Sequence, residues 1–528
     1  MQPVARTAVD VRDALREADR ARVAAARPVG PPGRTRVAIV GAGITGLATA
    51  YFLERRAEEA GLAVECIVLE RAPRAGGKVA TEREAGFVLE AGPDSIFTAK
   101  PAALDLCREL GLGDALLPAT IENRRTLVVR SRELVPLPDG LDAMVPTRFA
   151  PFAVSPLFSP LGKLRLAMEP FVRPRSGGGD ESIAAFVTRR LGREALDRMA
   201  APLLSGIHSS DPARQSLLAT FPALRRAELE HGSLFAAARA RRRSEGAALA
   251  GASPFATLRG GMGDLVSALL ARLRATRVLV DVTVSGIDRD LRSPEHRGAG
   301  EPRAAGQPPR AAFRVRLAGG ASLPADAVVL AVPARMAAVM LADAAPELAR
   351  RLGALRTAST ATVSLGFRER DVPHPMRGFG FVVPHRERRA LSACTWTSSK
   401  FRDRAPAGTR LVRAFFGGSA CEASAYADER ELVAMARREL AELMGISAAP
   451  IVARAQRWPG GAPQYDVGHV ERARAIDALA AAVPGLLLAG SALHGVGLSD
   501  CVDDARRCAT AVANLAAAHA AAGVYPGG

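Results

Sequence analysis

Three glycines near the start of the chain have the spacing of a phosphate-binding turn. Gly41, Gly43 and Gly46 follow an apolar run, residues 37–40, and precede a pattern that predicts a helix. In such a turn the first glycine permits a sharp bend, the second lets the backbone approach a pyrophosphate, and the third lets helix and strand pack closely. Free N–H groups at the start of the helix would face the phosphates. The predicted dinucleotide contacts are Gly41, Ala42, Gly43, Ile44, Thr45 and Gly46.

An acidic residue, Glu70, follows the second apolar run, residues 64–69. At this position a carboxylate can accept hydrogen bonds from both hydroxyls of a ribose, and it would repel a 2′-phosphate. The position therefore favours a nucleotide with an unphosphorylated ribose. The alternative is a solvated glutamate at the end of a strand.

Residues 71–78, RAPRAGGK, distinguish a flavin from a nicotinamide cofactor. They resemble the arginine and paired-glycine motif that follows the second strand in the amine oxidase superfamily of flavoproteins. The resemblance implies FAD, with Arg71, Gly76 and Gly77 beside its ribityl and phosphate portion and with Lys78 assisting the phosphates. A pair of glycines alone would indicate only a turn.

A second glycine-rich segment, residues 490–497 (GSALHGVG), lies more than 400 residues further along and opens a predicted helix. Backbone N–H groups of such a turn can stabilise the negative charge of a reduced flavin. The segment is similar to the carboxy-terminal flavin segment of the same superfamily, which implies that both ends of the chain build one FAD domain. Trp458 and Tyr465 are candidates for the flavin wall, with core packing as the alternative. The other predicted FAD contacts are Gly92, Val284, Trp458, Gly490, Gly495, Val496 and Gly497.

Four further segments narrow the resemblance. They are similar to protoporphyrinogen oxidase and its coproporphyrinogen-oxidising relatives, and with the flavin motifs they extend over about residues 36–515. The segments are residues 90–95 (EAGPDS), 204–212 (LSGIHSSDP), 221–222 followed by 230–234 (FP and EHGSL), and 463–469 (PQYDVGH).

This resemblance implies that a porphyrinogen is oxidised to a porphyrin in haem biosynthesis, in three two-electron steps. In each step a hydride passes to flavin N5, and O2 then accepts the electrons and yields H2O2. Such chemistry needs positioning more than acid or base catalysis, so no side chain is assigned as acid or base and no metal is expected. Two alternatives stay open: an amine oxidase or carotenoid desaturase-like flavoenzyme of the same fold, and a non-catalytic protein that binds flavin or porphyrin.

The propionates of such a substrate favour a cation near Gly92. Some family members carry an arginine soon after the Gly-Pro pair, whereas this chain has Asp94. Lys100 lies where the coproporphyrinogen-type relatives of Gram-positive bacteria carry a lysine. Gly92 and Lys100 are therefore predicted substrate contacts, with a solvated lysine as the alternative. The choice between protoporphyrinogen IX and coproporphyrinogen III stays open.

The elements that must position these residues follow from the hydrophobic pattern. A βαβ unit at the start, a mainly helical middle and later alternating strands predict an α/β and α+β fold. We expect a discontinuous Rossmann-type FAD domain, a mixed-sheet substrate domain and a helical lobe. The assigned ranges are 35–95, 255–333 and 457–522 for the FAD domain, with an insertion at about 291–311; 96–254 for the helical lobe; 334–456 for the substrate domain; and 1–34 for a flexible extension.

Composition limits the classes of partner. Of the 528 residues, 48% are hydrophobic and 24% charged, which excludes a disordered chain. The formal net charge is +17. The positive residues are almost all arginines dispersed along the chain, and no basic element with interleaved aromatic residues supports nucleic-acid binding. We expect a solvated basic surface instead.

The expected reactants are a porphyrinogen and O2, and the candidate partners are a ferrochelatase of the next step and a second copy of the chain. No apolar run is long enough to cross a bilayer. Six cysteines without CxxC spacing or a dense disulfide framework fit a reducing compartment, so a cytoplasmic protein is expected. Residues 146–170, rich in proline and phenylalanine, are a candidate peripheral membrane contact. Core packing explains Phe149, Phe152 and Phe158 equally well.

Overall fold

The computed structural model describes most of the chain. Residues 1–33 of the predicted extension and the predicted insertion 291–311 lie outside the described residues. The described residues are 34–120, 125–142, 145–146, 149–245, 253–289, 312–419 and 421–522.

A five-stranded parallel sheet is built from four distant parts of the chain. Its central strand, Thr35–Val40, pairs Val37 with Cys66 on one side and with Ala327 on the other. Because the last strand comes from near the carboxy terminus, both ends of the chain contribute to one domain, as predicted. In spatial order the strands are Arg277–Leu279, Val64–Leu69, Thr35–Val40, Ala327–Leu330 and Leu486–Leu488.

Both faces of this sheet are covered, which explains why its strands read as continuous apolar runs rather than alternating patterns. Val37 and Ile39 face one core, and Ala38 and Val40 face the other. The first core is covered by the helices Ile44–Glu59, Ala102–Glu109, Gly263–Arg272 and Leu498–Ala521. The second is covered by the helices Ala334–Met340, Pro346–Gly353 and His469–Ala481 and by the antiparallel strands Val284–Arg289, Phe313–Leu317 and Ser322–Ala325.

Short antiparallel pairings frame the chain around Gly92. The hairpin before it joins Thr81–Glu84 to Phe87–Glu90. After it, Ile96–Phe97 pairs with Phe255–Leu258, which also pairs with Leu116–Pro118. Gly92 is thus held between two fixed strand ends.

A seven-stranded mixed sheet forms the second large layer. Gly380–Val382 pairs in parallel with Thr126–Arg130, and the other described pairings are antiparallel. One face packs on the helix Glu429–Met444. This sheet and the parallel one confirm the predicted fold class. In spatial order the strands are Val452–Pro463, Thr357–Arg368, Thr409–Gly417, Leu391–Thr395, Gly380–Val382, Thr126–Arg130 and Glu133–Pro136.

The mixed sheet crosses the predicted domain limits. Thr126–Arg130 and Glu133–Pro136 come from the range assigned to the helical lobe, and Val452–Pro463 runs through the limit at residue 457. Two short strands in a mainly helical stretch carry too little periodicity to indicate which sheet they join. Strand pairing alone does not define where a domain begins or ends, so the exact domain ranges remain a prediction.

The helical lobe packs on the other face of the mixed sheet. Its core contains Phe186, Met199 and Leu204. A Cβ on Gly206 would lie 3.1 Å from Cγ1 of Val382, so the helix carrying it approaches the sheet closely. Among the described residues, no helix has both the length and the apolar character needed to cross a membrane. The helices of the lobe are Phe149–Val154, Pro160–Ala167, Ile183–Leu191, Arg193–Ala195, Leu196–Ala200, Ala201–His208, Leu217–Thr220, Pro222–His231 and Leu234–Glu245.

Candidate flavin and substrate site

The first glycine turn, residues 41–46, has the geometry that its sequence predicts. Gly41 has φ of 101°, and a Cβ there would lie 2.6 Å from the carbonyl oxygen of Ala331. A Cβ on Gly46 would overlap the carbonyl oxygen of Gly41, whereas a Cβ on Gly43 would meet no atom within 4 Å. Gly43 therefore faces open space at the start of the helix Ile44–Glu59, where a pyrophosphate needs room. The turn fits a bound dinucleotide.

Glu70 connects the first glycine turn to the segment that follows the second strand. Its carboxylate accepts hydrogen bonds from the N–H of Ala42 at 2.8 Å and from the N–H of Ala72 at 2.9 Å. Each carboxylate oxygen keeps a second lone pair, so the predicted bonds to ribose hydroxyls are still available. The backbone carbonyl of Glu70 accepts from the N–H of Val282 at 2.8 Å, which brings Val284, two residues on, close to this corner.

The paired glycines lie against the first glycine turn. Gly76 has φ of 107° and donates its N–H to the carbonyl oxygen of Ala42 at 2.7 Å. A Cβ on Gly77 would lie 3.1 Å from Cα of Gly43. These contacts bring together two motifs that the sequence assigns to one cofactor. By contrast, Arg71 is exposed.

Lys78 has a protein partner on the second large sheet. Its ammonium donates to the carbonyl oxygen of Gly461 at 2.5 Å, and burial lowers its pKa. A Cβ on Gly92 would overlap the carbonyl oxygen of Lys78. Gly92 is therefore a site of close backbone approach between the predicted cofactor segment and the predicted substrate segment.

The second glycine turn, residues 490–497, meets the first one. A Cβ on Gly490 would lie 3.6 Å from Oγ1 of Thr45. Gly490 and Gly495 have φ of 109° and 140°, which only glycine adopts readily. Val496 is 41% exposed and lies just before the long helix Leu498–Ala521. The fold thus places both glycine turns side by side.

The N–H groups of three glycines in this turn are paired within the protein. The acceptors are Asp504 for Gly490 at 2.7 Å, the hydroxyl of Tyr465 for Gly495 at 2.8 Å, and Asp500 for Gly497 at 3.0 Å. Sequence reasoning did not foresee these acceptors. The three glycines therefore shape the turn, and donors towards a flavin must come from neighbouring N–H groups.

Trp458 and a buried arginine fix the backbone beside Gly92. The carbonyl oxygen of Ala91 accepts from Nε1 of Trp458 at 2.8 Å and from Nη2 of Arg413 at 3.1 Å. Arg413 is 4% exposed. The predicted contacts Gly92 and Trp458 are thus neighbours through one carbonyl group.

A buried ion cluster lies on the other side of Gly92. Nζ of Lys400 is 3.3 Å from a carboxylate oxygen of Asp94, and it lies 4.8 Å and 4.9 Å from the ring centroids of Phe255 and Phe401. Burial alone would raise the pKa of Asp94, but the positive charges of Lys400 and Arg413 outweigh it and lower the pKa to about 2. Asp94 is therefore ionised and neutralised by neighbours.

Sequence reasoning missed Arg413 and Lys400. Both are cations that the fold buries, and the signal for Arg413 was a charged residue inside the apolar strand Thr409–Gly417. Lysine and arginine are almost never buried without a partner, so such a residue points to a buried anion or carbonyl group.

Lys100, the predicted propionate contact, has a carboxylate partner. Its ammonium lies 2.6 Å from Asp500, and its side chain is 53% exposed. The hydroxyl of Ser499 donates to the carbonyl oxygen of Lys100 at 2.6 Å. Lys100 is thus attached to the start of the last helix, and a propionate would have to share it with Asp500.

Comparison with known proteins gives a consistent result. The model of the family described as flavin containing amine oxidoreductase matches residues 44–513. A coproporphyrinogen III oxidase of Bacillus subtilis is 34% identical, over 90% of this chain and 97% of the relative. A coproporphyrinogen III oxidase of Propionibacterium freudenreichii is 35% identical, over 91% of each protein. A crystal structure from Exiguobacterium, provisionally described as protoporphyrinogen oxidase, superposes with a TM-score of 0.78 at 30% identity, covering 92% of this chain and all of that one.

Proposed function

The chain belongs to the family of flavin containing amine oxidoreductases and is an FAD-dependent oxidoreductase, and from this premise we propose that it oxidises a porphyrinogen to the porphyrin in haem biosynthesis. The observation that carries the proposal is the identity of 34% and 35%, over nine tenths of the chain, with two coproporphyrinogen III oxidases. On the same ground we propose coproporphyrinogen III as the preferred substrate.

The reaction would remove hydrogen in three two-electron steps, with O2 as the final acceptor and H2O2 as the product. When bound, FAD supplies a hydride acceptor. The protein's own residues hold the reactants: the two glycine turns and Glu70 hold the cofactor, and the segment at Gly92 presents the substrate to it. Asp94, Lys400 and Arg413 are committed to one another and to Ala91, which supports a role in positioning rather than in proton transfer.

Charge supports a substrate with several carboxylates. Beside Gly92 the cations Lys400, Arg413 and Arg404 face the carboxylates of Asp94 and Glu90, which leaves one positive charge in excess in a buried place. Coproporphyrinogen III carries four propionates and protoporphyrinogen IX two. Coproporphyrinogen III therefore gains more binding energy from such a positive field. Lys100 would add a further cation for these groups once it exchanges Asp500 for a propionate.

Turnover of both porphyrinogens tests the proposal. Purified protein with FAD bound is assayed in air on coproporphyrinogen III and on protoporphyrinogen IX, with porphyrin fluorescence and peroxide as readouts. We expect faster oxidation of coproporphyrinogen III and one peroxide for each two-electron step. Rates equal to those without enzyme, at full FAD occupancy, would overturn the assignment.

The contact at Lys100 has its own test. We expect Lys100→Gln to raise KM for coproporphyrinogen III several-fold and to leave kcat nearly unchanged, because uniform binding is lost. Lys163→Gln is the matched control, since Lys163 donates to the carbonyl oxygen of Ala153 in the helical lobe. Equal KM values in the two variants would contradict the contact.

Oxidation of an amine is the second candidate, because the matched family is described by that activity. Anaerobic mixing separates the candidates: bleaching of the flavin by porphyrinogen and not by amines supports the first. A protein that bound flavin without turnover would give no bleaching with either compound.

We also propose a peripheral contact between the helical lobe and a membrane. Phe152 and Phe158 are buried in the core of the helical lobe, so core packing accounts for them. Other apolar side chains of residues 146–170, and that of Phe171 next to them, point outward, which favours docking on an apolar surface. They are Val154, Leu161, Leu164, Met168 and Phe171, at 81%, 78%, 60%, 50% and 83% exposure.

Cosedimentation with anionic lipid vesicles tests this contact. We expect binding that falls in the double variant Leu161→Gln, Leu164→Gln, whereas Val339→Gln, at 65% exposure on another domain, leaves it unchanged. A cytoplasmic location, a homodimer and transfer of product to a ferrochelatase remain proposals. Sedimentation velocity with and without a ferrochelatase would test the last two.

A further inference from the structure

Tyr465 bridges two backbone groups of the second glycine turn. Its hydroxyl donates to the carbonyl oxygen of Ser491 at 2.9 Å and accepts the N–H of Gly495 at 2.8 Å. Its side chain is 7% exposed. One hydroxyl group thus closes a loop of five residues.

His469 holds the same loop from its middle. Its Nε2 lies 2.9 Å from the carbonyl oxygen of Leu493, and its ring is stacked on that of Tyr465 with 3.7 Å between centroids and 12° between planes. A carbonyl oxygen only accepts, so Nε2 carries the proton. Burial lowers the pKa of His469, which keeps the ring neutral, and its buried Nδ1 has no hydrogen-bond partner among the described residues.

The backbone around these two residues is attached to the helical lobe. The carbonyl oxygen of Tyr465 accepts from the N–H of Ser216 at 2.7 Å, and the N–H of Gly468 donates to Asp180 at 2.8 Å. Residues 463–469 therefore connect two regions: their backbone contacts the lobe, and the side chains of Tyr465 and His469 contact the second glycine turn.

We propose that Tyr465 and His469 are positioning residues that fix the second glycine turn in the shape that binds the flavin. This rests on the proposed cofactor contacts of that turn and is independent of which substrate is oxidised. A turn with glycines at positive φ has high conformational entropy when unconstrained. Three hydrogen bonds from two side chains restrict it, and the lobe fixes the direction from which they come.

The test uses the full chain with FAD and no porphyrinogen. In Tyr465→Phe, the N–H of Gly495 and the carbonyl of Ser491 lose their partner. We expect FAD to bind about tenfold more weakly, as for the loss of about 1.4 kcal/mol. The midpoint potential of the flavin should fall and its visible spectrum should change, because the neighbouring N–H groups that we propose as donors to the reduced flavin become disordered. Tyr51→Phe is the matched control, since Tyr51 has the same 7% exposure and its hydroxyl lies 3.5 Å from Glu109.

Two substitutions of His469 make the test independent of Tyr465. Gln places an amide N–H where Nε2 lies, so His469→Gln should keep FAD affinity and potential close to those of the parent. His469→Leu should weaken FAD binding and lower the midpoint potential of the flavin. The proposal is overturned if Tyr465→Phe lowers Tm with FAD affinity, potential and spectrum unchanged, or if the Gln and Leu variants lose affinity equally. Failed porphyrinogen turnover with these results intact would count against the substrate alone.

Discussion

The two glycine turns of the proposed cofactor site lie side by side and are specified in different ways. In the first, residues 41–46, close backbone contacts set the shape: Gly46 against the carbonyl of Gly41, and Gly41 against the carbonyl of Ala331. In the second, residues 490–497, side chains of the following helix and of residues 463–469 set it. Asp504, Tyr465, His469 and Asp500 supply the bonds. The glycine spacing of the first turn can be recognised in the sequence, whereas the bonds from Tyr465 and His469 that hold the second turn cannot.

The largest effect is expected from Gly46→Ala in the first turn. The new Cβ would overlap the carbonyl oxygen of Gly41, a backbone atom that cannot rotate away. We expect the free energy of unfolding to fall by about 3 kcal/mol or more. Urea unfolding measures this free energy. An unchanged urea midpoint would mean that the backbone of the turn can shift to make room for the methyl group.

Gly43→Ala should separate folding from binding in the same turn. No atom lies within 4 Å of a Cβ at this position, so the free energy of unfolding should change by less than about 0.5 kcal/mol. The methyl group would fill the space that the pyrophosphate needs, and FAD should bind about a hundredfold more weakly. Titration of the apoprotein with FAD measures this. Unchanged affinity would locate the pyrophosphate elsewhere.

Asp504→Asn in the second turn should have an intermediate effect. Asp504 accepts the N–H of Gly490 and pairs with Arg507, and its side chain is 4% exposed. Loss of a charged, buried acceptor should cost about 1.5–3 kcal/mol of unfolding free energy. Glu70→Gln is the counterpart in the first turn, where close backbone contacts remain. We expect its cost to be smaller, and equal costs in thermal unfolding would remove the contrast between the turns.

The smallest effect concerns pH and the rim of the second turn. His494 lies 3.2 Å from Asp477, which raises the pKa of His494. The stabilisation is complete below the ordinary histidine pKa of about 6.5 and is lost as pH rises through the raised, folded value. Both side chains are more than a third exposed, so screening limits the effect to below about 1 kcal/mol. Unfolding measured at pH 5.5 and pH 8 should show it, and the difference should disappear in Asp477→Asn.

The predictable part of the site follows local rules. The strand, the turn with Gly41 and Gly43, the helix after it and Glu70 lie within one βαβ unit, so sequence spacing fixes their relative positions. The carboxy-terminal strand was predicted from its apolar run, and Leu486–Leu488 joins the sheet as expected. These features need no knowledge of distant contacts.

The partners of charged and polar side chains were not predictable in the same way. Lys100 pairs with Asp500, Lys400 with Asp94, and Tyr465 with Ser491 and Gly495, across 26 to 400 positions of the chain. Any of several carboxylates or carbonyls satisfies a lysine or a hydroxyl chemically, and distance after folding decides which one does. Lys100 and Tyr465 could therefore be named from the sequence but not assigned their partners, and Lys400 was not named as a site residue at all.

By itself, the sequence determined a flavin-binding parallel sheet to which both ends of the chain contribute, and it indicated a resemblance to porphyrinogen oxidases. These depend on residue types whose steric demands are the same wherever they occur, above all glycine. Only the tertiary structure decided that a buried arginine and a tryptophan share the carbonyl of Ala91, and that residues 463–469 connect the helical lobe to the second glycine turn. The physical reason is that hydrogen bonds and ion pairs act over a few ångströms, and those distances exist only after the strands from distant segments have paired.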